Sequence, residues 1–309
     1  MLDFHNSRRE TSCSILATTV PPQAAHRFGC LVVESAISSI KEPTSSSTDS
    51  DEGAVMHYVE KPESFVSALV SCGVYLFNPN IFAPLANAMA RGLDTGLSLS
   101  PPTDRVRLEQ DVLAPLAGTR KLHVFEAKAP TDFFMQIKTA ESALPANRLY
   151  LAHARRNGTL PASSQVTFPS SPLECQGSVE IKGDVYIHPS AAVDPSSKLG
   201  PNVSVGALVV IGPGVRVKDS ILLEGVVVGN DSCIANSIVG WKSKIGAWVR
   251  LDGELSDSTA TPNSGPGIRV PGATVLGKEV VVHDEVIIRS CIVLPHKELK
   301  SSYHNEIVM

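Results

Sequence analysis

The stretch from Ile187 to Val217, IHPSAAVDPSSKLGPNVSVGALVVIGPGVRV, decides the fold of the C-terminal half. Ile187, Val193, Leu199, Val205, Ile211 and Val217 are aliphatic, and each follows the last by six residues. An amphipathic helix repeats its apolar face every 3.6 residues and a strand every two, so neither alone produces this count. A second column, four residues after each aliphatic, holds Ala191, Ser197, Val203, Val209, Val215 and Ile221. Gly and Pro crowd the one or two positions after each aliphatic (Pro189, Pro195, Gly200, Pro201, Gly206, Gly212, Pro213), which is turn chemistry. One short strand and then a corner, repeated, satisfies both columns. The stretch is therefore expected to form a parallel β-helix of hexapeptide repeats, whose strands stack about 4.8 Å apart.

The count slips between residues 217 and 239, then resumes at Val239, Ile245 and Leu251. After a Gly/Pro/Ser/Thr-rich interruption at about 252–272 it returns at Leu276, Val282, Ile288 and Leu294, with Val280, Val286 and Ile292 as the second column. The β-helix is expected to span 179–309, with the interruption as a loop inserted at a corner.

Upstream, the pattern changes. Cys13–Val20, Gly29–Val33, Val55–Val59, Cys72–Phe77 and Lys121–Glu126 read as strands, and Phe65–Leu69 as strand or a short helix. Residues 107–117 and 140–156 read as helices, and a Ser/Asp/Glu-rich insert follows Val33. Strands mixed with helices indicate an α/β domain over 1–156, joined to the β-helix by a Pro/Ser linker at 157–178.

The 309 residues suit two such domains. A net charge of −4 provides no basic footprint for nucleic acid, and no apolar run reaches membrane-spanning length. The six cysteines (Cys13, Cys30, Cys72, Cys175, Cys233 and Cys291) form no CxxC pair, and several sit in aliphatic runs. Buried free thiols are expected, which fits a reducing, cytoplasmic setting.

By spacing alone, Glu60-Lys61 is a charged pair in a turn. Taken together, Y-V-E-K-P at 58–62, S-C-G-V-Y-L-F at 71–77, R-L-E-Q-D-V at 107–112, S-I-V-G-W at 237–241 and I-V-L-P-H-K-E-L at 292–299 resemble the GDP-mannose pyrophosphorylases (mannose-1-phosphate guanylyltransferases), in particular their alpha-type subunits. The resemblance runs from Leu2 to Met309. It implies a partial, Rossmann-like nucleotidyltransferase domain followed by a left-handed β-helix. It also implies a role in joining GTP to mannose 1-phosphate, a reaction that uses Mg²⁺ held by carboxylates.

Against the family pattern, the chain has no Gly-rich phosphate loop, and Met1 aligns beyond the first metal-binding Asp. Gln136, in F-M-Q-I-K, stands where the second such Asp is expected, with Lys138 in place of a glycine. A carboxamide brings no charge to a divalent cation. Ser71 replaces the usual Asn of the sugar-holding strand. The resemblance thus implies a non-catalytic regulatory subunit without its own cofactor. Its expected partner is a catalytic beta-type subunit, with self-association through the β-helix and weak GDP-mannose or GTP binding.

Glu60, Lys61, Ser71 and Gly73 are the candidate sugar-nucleotide residues, with Glu109 and Asp111 ranked below them as ordinary acids in the first turn of a helix. An active guanylyltransferase is the first alternative. A hexapeptide acyltransferase using His188 or His283 as general base is the second. The nucleotidyltransferase-like subunits of the translation-initiation exchange factor are a further relative, disfavoured by SIVGW and IVLPHKEL.

Overall fold

In a computed structural model, the residues described are 1–8, 11–34, 53–94, 106–127, 132–158, 179–254 and 272–309. They divide into two compact units, Met1–Phe134 and Met135–Met309. The linker expected at 157–178 and the insertion at 252–272 lie almost wholly outside the described residues, as does Cys175.

The first unit is built on a five-stranded sheet. Its strands are β1 (Cys13–Thr19), β2 (Gly29–Val33), β3 (Val55–Glu60), β4 (Leu69–Phe77) and β5 (Leu122–Glu126), in the order β3-β2-β4-β1-β5. Only β1 and β5 run parallel. Helix α1 (Leu2–Ser7) lies over β5, where Phe4 meets Phe125 edge to face at 5.4 Å. Helix α2 (Phe82–Asp94) opens after Asn78-Pro79, a start signal that the sequence itself carries. The strand or helix expected at Phe65–Leu69 does not form; Phe65 is exposed, and only Leu69 enters β4. The helix expected at 107–117 is a π-helical turn, Leu108–Leu113, running into an α-turn. The core joins Ile15, Leu31, Val55, Leu113 and Leu122, all fully buried.

The second unit is a parallel β-helix whose strands stack into three sheets of seven, six and seven. The aliphatic column Ile187 to Val217 points inward throughout, and the interior of the coil is one continuous apolar core. The slips have a single cause. From Val217 to Leu222, Ile234 to Val239 and Ile288 to Val293 the inward step is five residues, not six. Each of these corners turns on one polar residue with positive φ, Asp219, Asn236 or Ser290.

Two expectations are corrected accordingly. Ser220, not Ile221, fills the second column, and Cys291 and Val293 point inward where Ile292 and Leu294 were expected. Leu294 sits exposed at a corner.

Helix α3 (Ala143–Arg156) belongs with the β-helix, not with the domain it was assigned to from sequence. Its Leu144 packs with Ile238 and Ala273. Asn147 bridges Asn202 and Ser204, Arg148 pairs with the buried Asp219 at 2.9 Å, and Arg155 pairs with Asp184 at 3.0 Å.

A candidate sugar-binding cluster

β3 ends at Glu60, and Lys61, with φ 46°, turns the chain away toward the buried Pro62. Residues two apart on a strand share a face, so Tyr58 lies beside Glu60 and donates its phenol proton to Oε2 at 3.1 Å. Gly29 stands opposite Glu60 on β2. A side chain there would fall 2.3 Å from the Tyr58 oxygen and 2.8 Å from Glu60 Oε2, so the glycine makes room for this pair.

β4 supplies the other side of the cluster. Opposite Leu16–Ala17 the register skips Cys72 and Gly73, a bulge in which Gly73 takes φ +74° and donates its N–H to Ser71 Oγ at 3.2 Å. A Cβ on Gly73 would touch nothing within 4 Å, so the backbone here is open to close approach. Beyond the bulge, the Tyr75 hydroxyl lies 3.5 Å from Ser71 Oγ and 3.5 Å from Glu109 Oε1.

The Tyr58 phenol is pushed well above the ordinary phenol range by burial, then by the neighbouring Tyr75 and the Glu60 carboxylate. Burial, with Glu109 and Glu60 adding, also raises Tyr75, against the hydrogen bond from Ser71. Both rings therefore stay neutral donors between two carboxylates. The Tyr75 ring stacks on Phe77 at 5.9 Å, and Phe77 borders an apolar cavity of about 310 Å³ with Ile81, Phe82, Leu85 and Leu108. Carboxylates and hydroxyls beside aromatic rings suit a polyhydroxylated ligand.

The structure thus unites Glu60, Ser71 and Glu109 through two tyrosines that sequence reasoning missed, although Tyr58 is two residues from Glu60 in a strand. Lys61 is largely exposed, 3.5 Å from Glu60 Oε1. Asp111 pairs with Arg107, one turn earlier. Gly29→Ala tests the packing of this cluster. It is expected to displace Tyr58, which is only 7% exposed, and to cost about 1–3 kcal/mol. Urea titration checks the cost, and an unchanged midpoint would show that the Tyr58 ring yields freely.

Gln136 and Lys138 are both exposed, on a segment of the second unit without regular secondary structure. An uncharged amide flanked by a cation does not suit Mg²⁺, and among the described residues no group of three or more His, Cys, Asp or Glu side chains could hold a metal ion. His188 hydrogen-bonds its own turn at Ser190 Oγ, 2.9 Å away. His283 does have a paired acid: its Nε2 lies 2.6 Å from Glu298 Oε1, a carboxylate also 3.3 Å from Lys300 Nζ. Both partners are open to solvent, and a surface hydrogen bond accounts for the contact. No helix among the described residues is long and apolar enough to cross a membrane. Five cysteines, Cys13, Cys30, Cys72, Cys233 and Cys291, are free thiols.

Comparison with known proteins identifies the family. Residues 1–103 match the Nucleotidyl transferase family, and residues 181–308 match the family described as GMPPB C-terminal domain. The mannose-1-phosphate guanylyltransferase regulatory subunit alpha-B of Danio rerio is 39% identical over 100% of this chain and 70% of its own length. The regulatory subunit alpha of Homo sapiens is 39% identical over the same shares. A probable mannose-1-phosphate guanyltransferase of Schizosaccharomyces pombe is 36% identical, over 100% of this chain and 69% of its own. With both domain types present and relatives matched along its whole length, the chain belongs to the mannose-1-phosphate guanylyltransferase family.

Proposed function

We propose that this chain is an alpha-type, non-catalytic regulatory subunit that serves GDP-mannose biosynthesis by assembling with a catalytic beta-type subunit in the cytoplasm. The feature that supports this reading is the resemblance that aligns Gln136, with Lys138 two residues on, to the carboxylate the reaction needs for Mg²⁺; both side chains are exposed. The names of the Danio rerio and Homo sapiens relatives support it.

The Glu60–Tyr58–Tyr75–Glu109 cluster favours retained recognition of the sugar end of GDP-mannose, with Lys61 beside the phosphates and Gly73 allowing close approach. Binding is weak on this reading and serves regulation.

The test is turnover of GTP and mannose 1-phosphate with Mg²⁺, by the purified chain alone and with a beta-type subunit. The chain alone is expected to give no product and to co-purify with the beta-type subunit, changing that subunit's rate. Product from the chain alone, or failure to bind the beta-type subunit, overturns the proposal.

A further inference from the structure

The β-helix presents three outward faces of different chemistry. One is covered by α3. A second carries Lys198, Arg216 and Arg250 in successive or alternate strands. The third, the six-stranded sheet, carries Ala192, Val210, Val227, Lys244, Val281 and Glu298 as its outward column, each in register with the next.

Val210, Val227 and Val281 are exposed there, together with Leu208 at the adjoining corner. The only two tryptophans of the chain flank this face on one coil, Trp241 at the corner before strand Lys244–Ile245 and Trp248 at the corner after it. They are 52% and 64% exposed. Exposed tryptophans framing an apolar sheet face mark an interaction surface, because Trp is among the residues most enriched at the hot spots that carry binding energy.

The face is complementary to itself. At the same two corners, one coil earlier, stand the exposed acids Glu224 and Asp231, stacked directly next to Trp241 and Trp248 by the backbone bonds from Lys242 N to Glu224 O and Trp248 N to Asn230 O. A two-fold axis along the strand direction, passing between strands Val227–Val228 and Lys244–Ile245, reverses the order of coils in a second copy. It sets Trp241 on the partner's Glu224 and Trp248 on the partner's Asp231, so each indole N–H meets a carboxylate. The same operation lays Val210 on the partner's Val281, and the aliphatic stem of Lys244 on the partner's Val227.

We propose that this face binds a second copy of the chain, face to face and antiparallel. The proposal gives the expected self-association a surface and a register, and it does not depend on the catalytic reading.

Sedimentation velocity of the full chain over a wide concentration range tests it. A dimer is expected whose dissociation constant rises at least about 30-fold in Trp241→Ala/Trp248→Ala, the loss of one hot spot. Both side chains face solvent, so the variant keeps its fold; matching circular dichroism melts check this. The register is read separately: with a short bis-maleimide, a chain carrying Val210→Cys and Val281→Cys is expected to cross-link into dimers, and Val210→Cys alone is not. A chain that stays monomeric, or dimerises with unchanged affinity in the tryptophan variant, overturns the proposal. So does a monomer whose tryptophan variant instead loses a beta-type subunit, which would assign the face to that partner. Turnover by the chain alone bears on the regulatory reading and leaves this one untouched.

Discussion

Leu251→Ala is expected to destabilise the β-helix by about 3–5 kcal/mol, while Leu294→Ala stays within about 0.5 kcal/mol. Leu251 is fully buried, stacked in register between Ile234 on the preceding coil and Ile288 on the next. Truncating it removes transfer energy and leaves a cavity that the neighbouring rungs cannot close, because their backbones are fixed by the ladder on both sides. In a stacked-coil protein each repeat leans on its neighbours. The loss of protection in hydrogen exchange is therefore expected to centre on Cys233–Ala235 and Ile287–Arg289, and to spare the sheet of the first unit. Urea or thermal melts measure the cost. Equal costs for the two leucines would show that the sixfold count continues to Leu294 and that the five-residue corners are wrong.

That pairing of leucines marks how far the coil was legible in the sequence. From Ile187 to Val217 every sixth aliphatic is inward, because Gly and Pro force similar corners on all three sides. After Val217 one corner in three shortens, and Asp219, Asn236 and Ser290 make the turn with positive φ. Asp and Asn tolerate that backbone well, but Asp231 makes a six-residue corner with the same positive φ, so these residue types mark a corner without telling five from six. A count in sixes therefore puts Ile221, Ile292 and Leu294 on the wrong side.

In the first unit, local propensity located the strands but not α2, where Asn78-Pro79 and a following Ala- and Leu-rich run announced a helix. Glu60, Lys61, Ser71 and Gly73 came from resemblance, since a charged turn and a glycine in a strand are common. Their association depends on Tyr58 and Tyr75, and on Glu109 arriving from a separate helix. Strand alternation alone could have placed Tyr58 beside Glu60. The Tyr75–Glu109 contact is set by how the π-helical turn packs on the sheet, and no one-dimensional pattern contains that.

Alkali should unfold the first unit ahead of what its apolar core alone implies. Cys13 opens β1 with no exposed surface, and burial pushes its thiol from 9.0 up to about 12. Burial also pushes Cys72 up to about 11, and it raises both tyrosines of the candidate site above their ordinary range. All four groups are neutral when protonated, so each holds its proton more tightly folded than unfolded. The stability this represents is complete below the unfolded pKa and is lost as pH rises through the folded one. For Cys13 alone the window runs from 9.0 to about 12 and corresponds to on the order of 4 kcal/mol. Urea midpoints followed by circular dichroism between about pH 8 and 11 are expected to fall steadily in the wild-type chain. Cys13→Ala should start lower, from the lost side-chain volume, and decline less steeply, because one of the four protons is gone. Parallel slopes for the two proteins would mean that the Cys13 thiol ionises without opening the sheet, and the buried-thiol account of alkaline sensitivity would fail.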